Sequence, residues 1–235
     1  MPATASPSGP PRPPARQVTL GPPGDKASWI PGDSLGMSPP KTALTPKLVA
    51  DRVVLGKNGQ LAGGMTGNTW LDSGNGTALS SPATREKHVR LLPGDDGLCA
   101  SGTVAGLRCV NEKTPRARCN WYSNWGVAIS LDVRSDGDAW GDSAARGIAV
   151  EFHGRSSRYR LNAHKAGDPR QKTYCIEDYK SGHMVRPSMF KSRCWDDSGD
   201  TLPDFKSVDV FNLQFLSGTE YVGFHYCISN IRIER

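Results

Sequence analysis

Apolar and polar residues alternate one for one along much of the second half of the chain. In GVAISLDVR (126–134), Val127, Ile129, Leu131 and Val133 alternate with Ala128, Ser130, Asp132 and Arg134. Residues 147–154 set Ile148, Val150 and Phe152 against Ala149, Glu151 and His153. Residues 157–165 set Tyr159, Leu161 and Ala163 against Arg158, Arg160, Asn162 and His164. In 210–216, Phe211, Leu213 and Phe215 oppose Asn212 and Gln214. A period of two with one apolar face is what half-buried antiparallel strands require. Clusters such as RSDGD and AGDP between these stretches carry turn chemistry, and Lys57-Asn58-Gly59 is a hairpin signal. The stretch 221–234 is rich in β-branched and aromatic residues and reads as a last strand. No stretch carries a capped 3.6-residue period. The pattern therefore predicts an all-β antiparallel sandwich of the jelly-roll kind.

The first fifth of the chain is different. Twelve of the 18 prolines fall between Pro2 and Pro46, and MPATASPSGPPRPPAR has nothing large to bury. Such a segment cannot offset the entropy of ordering it, so residues 1–46 are expected to be a disordered, extended arm and 47–235 the folded domain. Two apolar patches interrupt the arm, Val18-Thr19-Leu20 and Trp29-Ile30. Trp29 is equally consistent with docking and with dangling free. Charge sharpens the division. Of the net +6, seven Lys/Arg against three Asp lie through Gln60, which leaves 22 basic and 20 acidic residues for the body. A nucleic-acid binder clusters positive charge on its folded face, so no nucleic-acid partner is expected.

The six cysteines, at 99, 109, 119, 175, 194 and 227, form no C-x-x-C and no zinc-type spacing. An even, well-separated set fits structural disulfides and an oxidising compartment, and buried free thiols are the alternative. No apolar run reaches the length of a membrane span. The first residues lack the apolar core of a signal peptide, so a secreted protein requires a leader already removed or another export route.

Three pieces then fall into a recognisable order. Leu98-Cys99-Ala100-Ser101-Gly102-Thr103-Val104 precedes NWGVAISLDV; Tyr174-Cys175 is followed by Cys194-Trp195; and FNLQFLSGTEYVGFHYCISNIRI closes the chain. Over about residues 60–233 this resembles the galactose-binding-like jelly rolls of secreted bacterial carbohydrate-binding modules, of the LCxSGTV…YC…CW…FxFCI type. The resemblance implies a β-sandwich with first and last strands adjacent, a Cys99–Cys227 bridge and a Cys175–Cys194 bridge. Cys109 and Cys119 are extra to that pattern and would close the basic loop VNEKTPRAR. The chain departs from such modules in having Ser229-Asn230 where many carry an acidic pair supporting calcium, which puts a calcium site of that type in doubt.

If the apolar sets form the core, the polar sets lie outward. Sugar recognition needs planar groups that bond vicinal hydroxyls, together with aromatic rings that stack on pyranose faces. Arg158, Arg160, Asn162, Asn212 and Gln214 offer the first, with Asp132, Glu151 and His153 beside them. Trp121, Tyr122, Trp125 and Trp140 offer the second. Read blandly, the polar positions are a solvated face and Trp125 a lid over the core. No cofactor is expected. A structural calcium is the one ion left open, by the acidic turns Asp136, Asp138 and Asp142 and Asp196 to Asp200, although EF-hand spacing is missing. His153, His164 and Glu151 are a thin metal signal.

The sequence thus reads as a secreted, non-catalytic module for a polysaccharide or cell-surface glycan. The alternative is an extracellular assembly subunit whose arm, with anchors at Val18, Leu20, Trp29, Ile30 and Leu35, adds to a neighbour's sheet and drives self-association. A third reading is a polysaccharide hydrolase using Glu151 and Asp132, or a lyase using Tyr159, His153 and Arg158. No hydrolase, P-loop or zincin motif is present to favour it.

Overall fold

The computed structural model describes residues 50–107, 109–110, 118–119, 124–154, 158–169 and 172–235. The expectations placed on the arm (1–46), including Trp29, and on Trp121 and Tyr122 lie outside these residues. What is described is a β-sandwich. Its strands are, in chain order, β1 (Ala50–Leu55), β2 (Leu61–Ala62), β3 (Thr69–Ser73), β4 (Thr77–Ser81), β5 (His88–Arg90) and β6 (Leu98–Val104). A short ladder of β7 (Cys109–Val110) and β8 (Arg118–Cys119) follows, then β9 (Gly126–Asp132), β10 (Gly147–Gly154), β11 (Tyr159–Lys165) and β12 (Thr173–Ile176). The last are β13 (Lys191–Arg193), β14 (Ser198–Thr201), β15 (Val208–Leu216) and β16 (Val222–Glu234).

The larger sheet has eight strands in the order β14-β13-β12-β11-β15-β9-β3-β5. The smaller is built around the long β16. Along one edge β16 pairs first with β6 and then with β1; along the other it pairs with β10. First and last strands are thus neighbours. All these pairings are antiparallel, as period-two alternation with one wet face predicts.

Between the sheets lies one apolar core. Leu71, Ile129, Leu131, Leu161, Phe211 and Leu213 enter it from the larger sheet and Leu98, Ile148, Val150, Ile231 and Ile233 from the smaller. One device sits in β16. Phe224, Tyr226 and Ile228 occupy even positions, whereas Ile231 and Ile233 occupy odd ones, yet all are buried. The register slips where Glu151 pairs with Asn230 but Phe152 with Ile228, leaving Ser229 unpaired as a bulge. One extra residue reverses which positions face inward.

Among the described residues, two disulfides brace the outer faces. Cys99 and Cys227 are directly opposite in the β6–β16 ladder, with Cα atoms 4.0 Å apart. Cys175 on β12 is bridged to Cys194, Cα to Cα 5.4 Å. Both pairings are those implied by the resemblance. The β7–β8 ladder sets Cys109 opposite Cys119. At the edge of β10, the Tyr179 hydroxyl accepts from the Val150 N–H at 2.8 Å and donates to the His183 carbonyl at 2.8 Å. Burial pushes its phenol up to about 12.

Candidate functional site

The register of the larger sheet decides which polar side chains meet. Across its centre Trp70 (β3), Ser130 (β9), Asn212 (β15), Asn162 (β11) and Cys175 (β12) stand side by side on the outer face. The adjacent row runs Asp72, Ala128, Gln214 and Arg160. Asp132 and His164 lie one row further, both paired with Val210. Five of the expected site residues, Asp132, Arg160, Asn162, Asn212 and Gln214, therefore share one surface.

The middle of that surface is a strip of amides. Asn162 Nδ2 donates to Asn212 Oδ1 at 2.6 Å and to Gln214 Oε1 at 3.0 Å. Gln214 Nε2 in turn donates to the Trp125 carbonyl at 2.9 Å. This bond depends on where Trp125 stops. The next residue, Gly126, has φ +114°, and a Cβ there would lie 2.0 Å from the Phe215 carbonyl oxygen, so only glycine starts β9 against β15. Asn162, Gln214 and Ser130 are nonetheless buried. This corrects their expected place on a solvated face: they position the strip rather than expose it. Asn212 is half-buried and its own Nδ2 donates to none of the described residues.

On the β3 side, Trp70 Nε1 donates to Asp132 at 2.7 Å, Ser130 Oγ donates to Asp72 at 2.5 Å, and Asp72 accepts from or pairs with His88 Nδ1 at 2.6 Å. The His88 ring stacks on Trp70 with centroids 4.4 Å apart, and Arg90 lies 5.5 Å over the same indole. Burial raises the Asp132 carboxyl above its ordinary range, opposed by the indole hydrogen bond and reinforced by Asp72. The order here is hydroxyl, carboxylate, imidazole. A nucleophilic triad needs the imidazole on the hydroxyl, whereas here the hydroxyl and the imidazole both stand on the Asp72 carboxylate.

On the β12 side, Arg160 grips Glu177 through Nε at 2.7 Å and Nη2 at 2.6 Å. Its guanidinium carbon lies 6.0 Å from the Trp195 ring centroid. Trp195 is 62% exposed, against a core where other large aromatics are nearly closed off. The Cys175–Cys194 bridge fixes the chain next to it. His164 Nδ1 pairs with Asp209 at 2.8 Å.

Several expectations change. Trp140 is not a loop platform: it is 6% exposed, packs edge-on against Phe211 and donates from Nε1 to the Gly64 carbonyl at 2.6 Å. Glu151 and His153 lie on β10, whose inward residues are Ile148, Val150 and Phe152, so they face outward from the opposite sheet. Glu151 is held there by Arg232 at 3.0 Å and Asn230 at 3.0 Å. That separates Glu151 from Asp132 and from His164, and so removes both the hydrolase pair and the histidine metal set. Tyr159 is buried among Phe152, Phe215 and Tyr226 whereas Arg158 and His153 are exposed, so the lyase trio is divided between core and surface. Arg158 precedes β11 and lies outside its ladder. Trp125 is half-buried at the end of the strip and contributes its carbonyl there.

Several carboxylates of the acidic turns are already engaged. Asp136 is paired with Arg134 and accepts from the Asp138 N–H; Asp142 accepts from Arg235 at 2.9 Å; Asp196 caps Ser198. Among the described residues no three acidic, histidine or cysteine side chains converge as a metal site. An open cleft of about 450 Å³ lies between Gly64, Trp140, Asp142 and Arg235. Its cations are already matched, Arg235 by Asp51 and Asp142 and Arg134 by Asp136.

Sequence reasoning missed Trp70, Asp72, His88, Glu177 and Trp195. TWLDS carried the same alternation as the strands that were read, and Trp195 adjoined a cysteine. Among the described residues no helix is long and apolar enough to cross a membrane. No family model matches the chain, and no curated protein matches it either.

Proposed function

We propose that this chain is an extracellular, non-catalytic carbohydrate-binding module that takes a glycan on the outer face of its larger sheet. The carrying observation is the amide strip: Asn162 fixes half-buried Asn212 through its Oδ1, while the Asn212 N–H₂ donates to none of the described residues, with exposed Trp195 close to Arg160 on the flank. A rigid amide beside an open indole supplies the two things a sugar offers partners for, hydroxyls and an apolar ring face. The carboxylates of this face support binding rather than catalysis, since Asp72, Asp132 and Glu177 are each held by a neighbouring donor. The two disulfides are compatible with secretion.

The test is a pull-down of the oxidised protein on a broad panel of soluble and insoluble polysaccharides, with Trp195→Ala and Asn212→Ala alongside. Retention that either substitution abolishes in a folded protein supports the module and locates its site. A folded protein that binds nothing on the panel rejects the reading.

A further inference from the structure

One row across the larger sheet carries an exposed aromatic ring at each end. Resting on the binding reading above, we infer that the ligand is a run of about four sugars in a linear polysaccharide, laid across the strands, rather than a terminal mono- or disaccharide. The register lines up His88 (β5), Asp72 (β3), Ala128 (β9), Gln214 (β15) and Arg160 (β11). At the β5 end the His88 side chain is 58% exposed, and its ring lies on half-buried Trp70 with centroids 4.4 Å apart. At the β11 end the exposed Trp195 ring lies 6.0 Å from the Arg160 guanidinium carbon. Between the rings the row carries buried Ala128 and Gln214, and Ala128 has only a methyl to offer. Neighbouring strands lie about 4.8 Å apart, so the four steps from β5 to β11 set the two ends about 19 Å apart. A pyranose in an extended chain is about as long as one strand spacing, so about four of them reach from ring to ring.

Both ends are held in place without a ligand. His88 Nδ1 lies 2.6 Å from Asp72, and Trp70 Nε1 donates to Asp132 at 2.7 Å. At the other end Arg160 Nε donates to Glu177 at 2.7 Å, and the Cys175–Cys194 bridge holds the residue before Trp195. Rings fixed in this way lose little freedom when a sugar stacks on them. In the adjacent row, on β15, stands Asn212, whose Nδ2 donates to none of the described residues. One stacking contact and one neutral hydrogen bond are each weak in water. Affinity therefore requires both rings at once, which a linear chain achieves by its length and a disaccharide cannot, whatever charge its substituents carry.

The experiment is isothermal titration calorimetry of the whole oxidised chain with cello-, laminari-, manno-, xylo-, chito- and galacturono-oligosaccharides of two to eight residues, with affinity electrophoresis in the parent polymers alongside. Affinity should rise by roughly tenfold from disaccharide to tetrasaccharide and level off beyond the hexasaccharide. His88→Ala, a change at an exposed side chain, should lower hexasaccharide affinity by roughly tenfold and trisaccharide affinity by less than about twofold. Trp195→Ala should lower both. Full affinity already at the disaccharide, unchanged hexasaccharide affinity in His88→Ala, or retardation by a polymer whose octasaccharide does not bind overturns the spanning mode and leaves the module standing. No binding of any oligosaccharide and no retardation by any polymer, for the folded protein, overturns the module itself and this inference with it.

Discussion

Asn162 and Asn212 are fifty residues apart in sequence, directly opposite in the β11–β15 ladder, and joined side chain to side chain at 2.6 Å. Because the same Asn162 nitrogen also serves Gln214, one amide holds two others in fixed orientation. Asn162→Ala is expected to leave two buried or half-buried acceptors unmatched and to cost about 1–3 kcal/mol, read from urea unfolding. Glycan retention should fall with it, since Asn212 then rotates. Undiminished retention would mean that the strip orients nothing the ligand touches.

The two tryptophans Trp195 and Trp140 should separate binding from stability. Trp195→Ala removes an exposed ring and is expected to shift stability by no more than about 0.5 kcal/mol. Its loss should cost roughly 2 kcal/mol of binding, as for other aromatic anchors. Trp140→Ala opens the core beside Phe205 and Phe211 and orphans the Gly64 carbonyl, so about 3–5 kcal/mol of stability should go. Denaturation and binding measured on both variants check the assignment, and a stable Trp140→Ala that no longer binds would reverse it.

The contrast shows what alternation can and cannot reveal. Period two placed Ile129, Leu161 and Leu213 in the core and Asn162 and Asn212 outside it, because side-chain direction follows from the backbone alone. It says nothing about which sheet a strand joins. Glu151 and Asn162 read alike in sequence, yet β10 pairs with β16 and β11 with β15, so they point away from opposite sides of the sandwich. Trp140 sits between strands, where no period applies, and only packing shows that its ring turns inward. The parity reversal at Ser229 was equally hidden, since a bulge is a property of two strands and the sequence of one does not contain it.

The two bridges should differ in what they contribute. Cys99–Cys227 spans 128 residues and Cys175–Cys194 spans 19. If cross-links act by restricting the unfolded chain, the first is worth about 5 kcal/mol and the second about 3 kcal/mol. Paired Cys→Ala variants, unfolded in urea under oxidising conditions, should show that order. The Cys175/Cys194 variant should in addition lose glycan retention, because Trp195 follows directly on the released residue. Equal destabilisation by the two pairs would point to local strain or packing as the larger effect.

Asp132 gives the face a pH dependence with a definite sign. Burial raises its carboxyl above the ordinary 3.8, so the folded protein holds this proton more tightly than the unfolded chain does. The stability that follows is complete below 3.8 and is lost as pH rises through the elevated folded value. At neutral pH the half-buried charge is therefore a cost. Asp132→Asn removes that charge while keeping an acceptor for the Trp70 indole, and is expected to be more stable than wild type at pH 7. The difference should shrink as pH falls through the raised value and vanish below 3.8, where both side chains are neutral in both states. Urea midpoints for the two proteins across that range decide the matter. A gap that stayed constant with pH would show that the substitution acts through packing at the indole, and that the Asp132 charge carries no penalty in the fold.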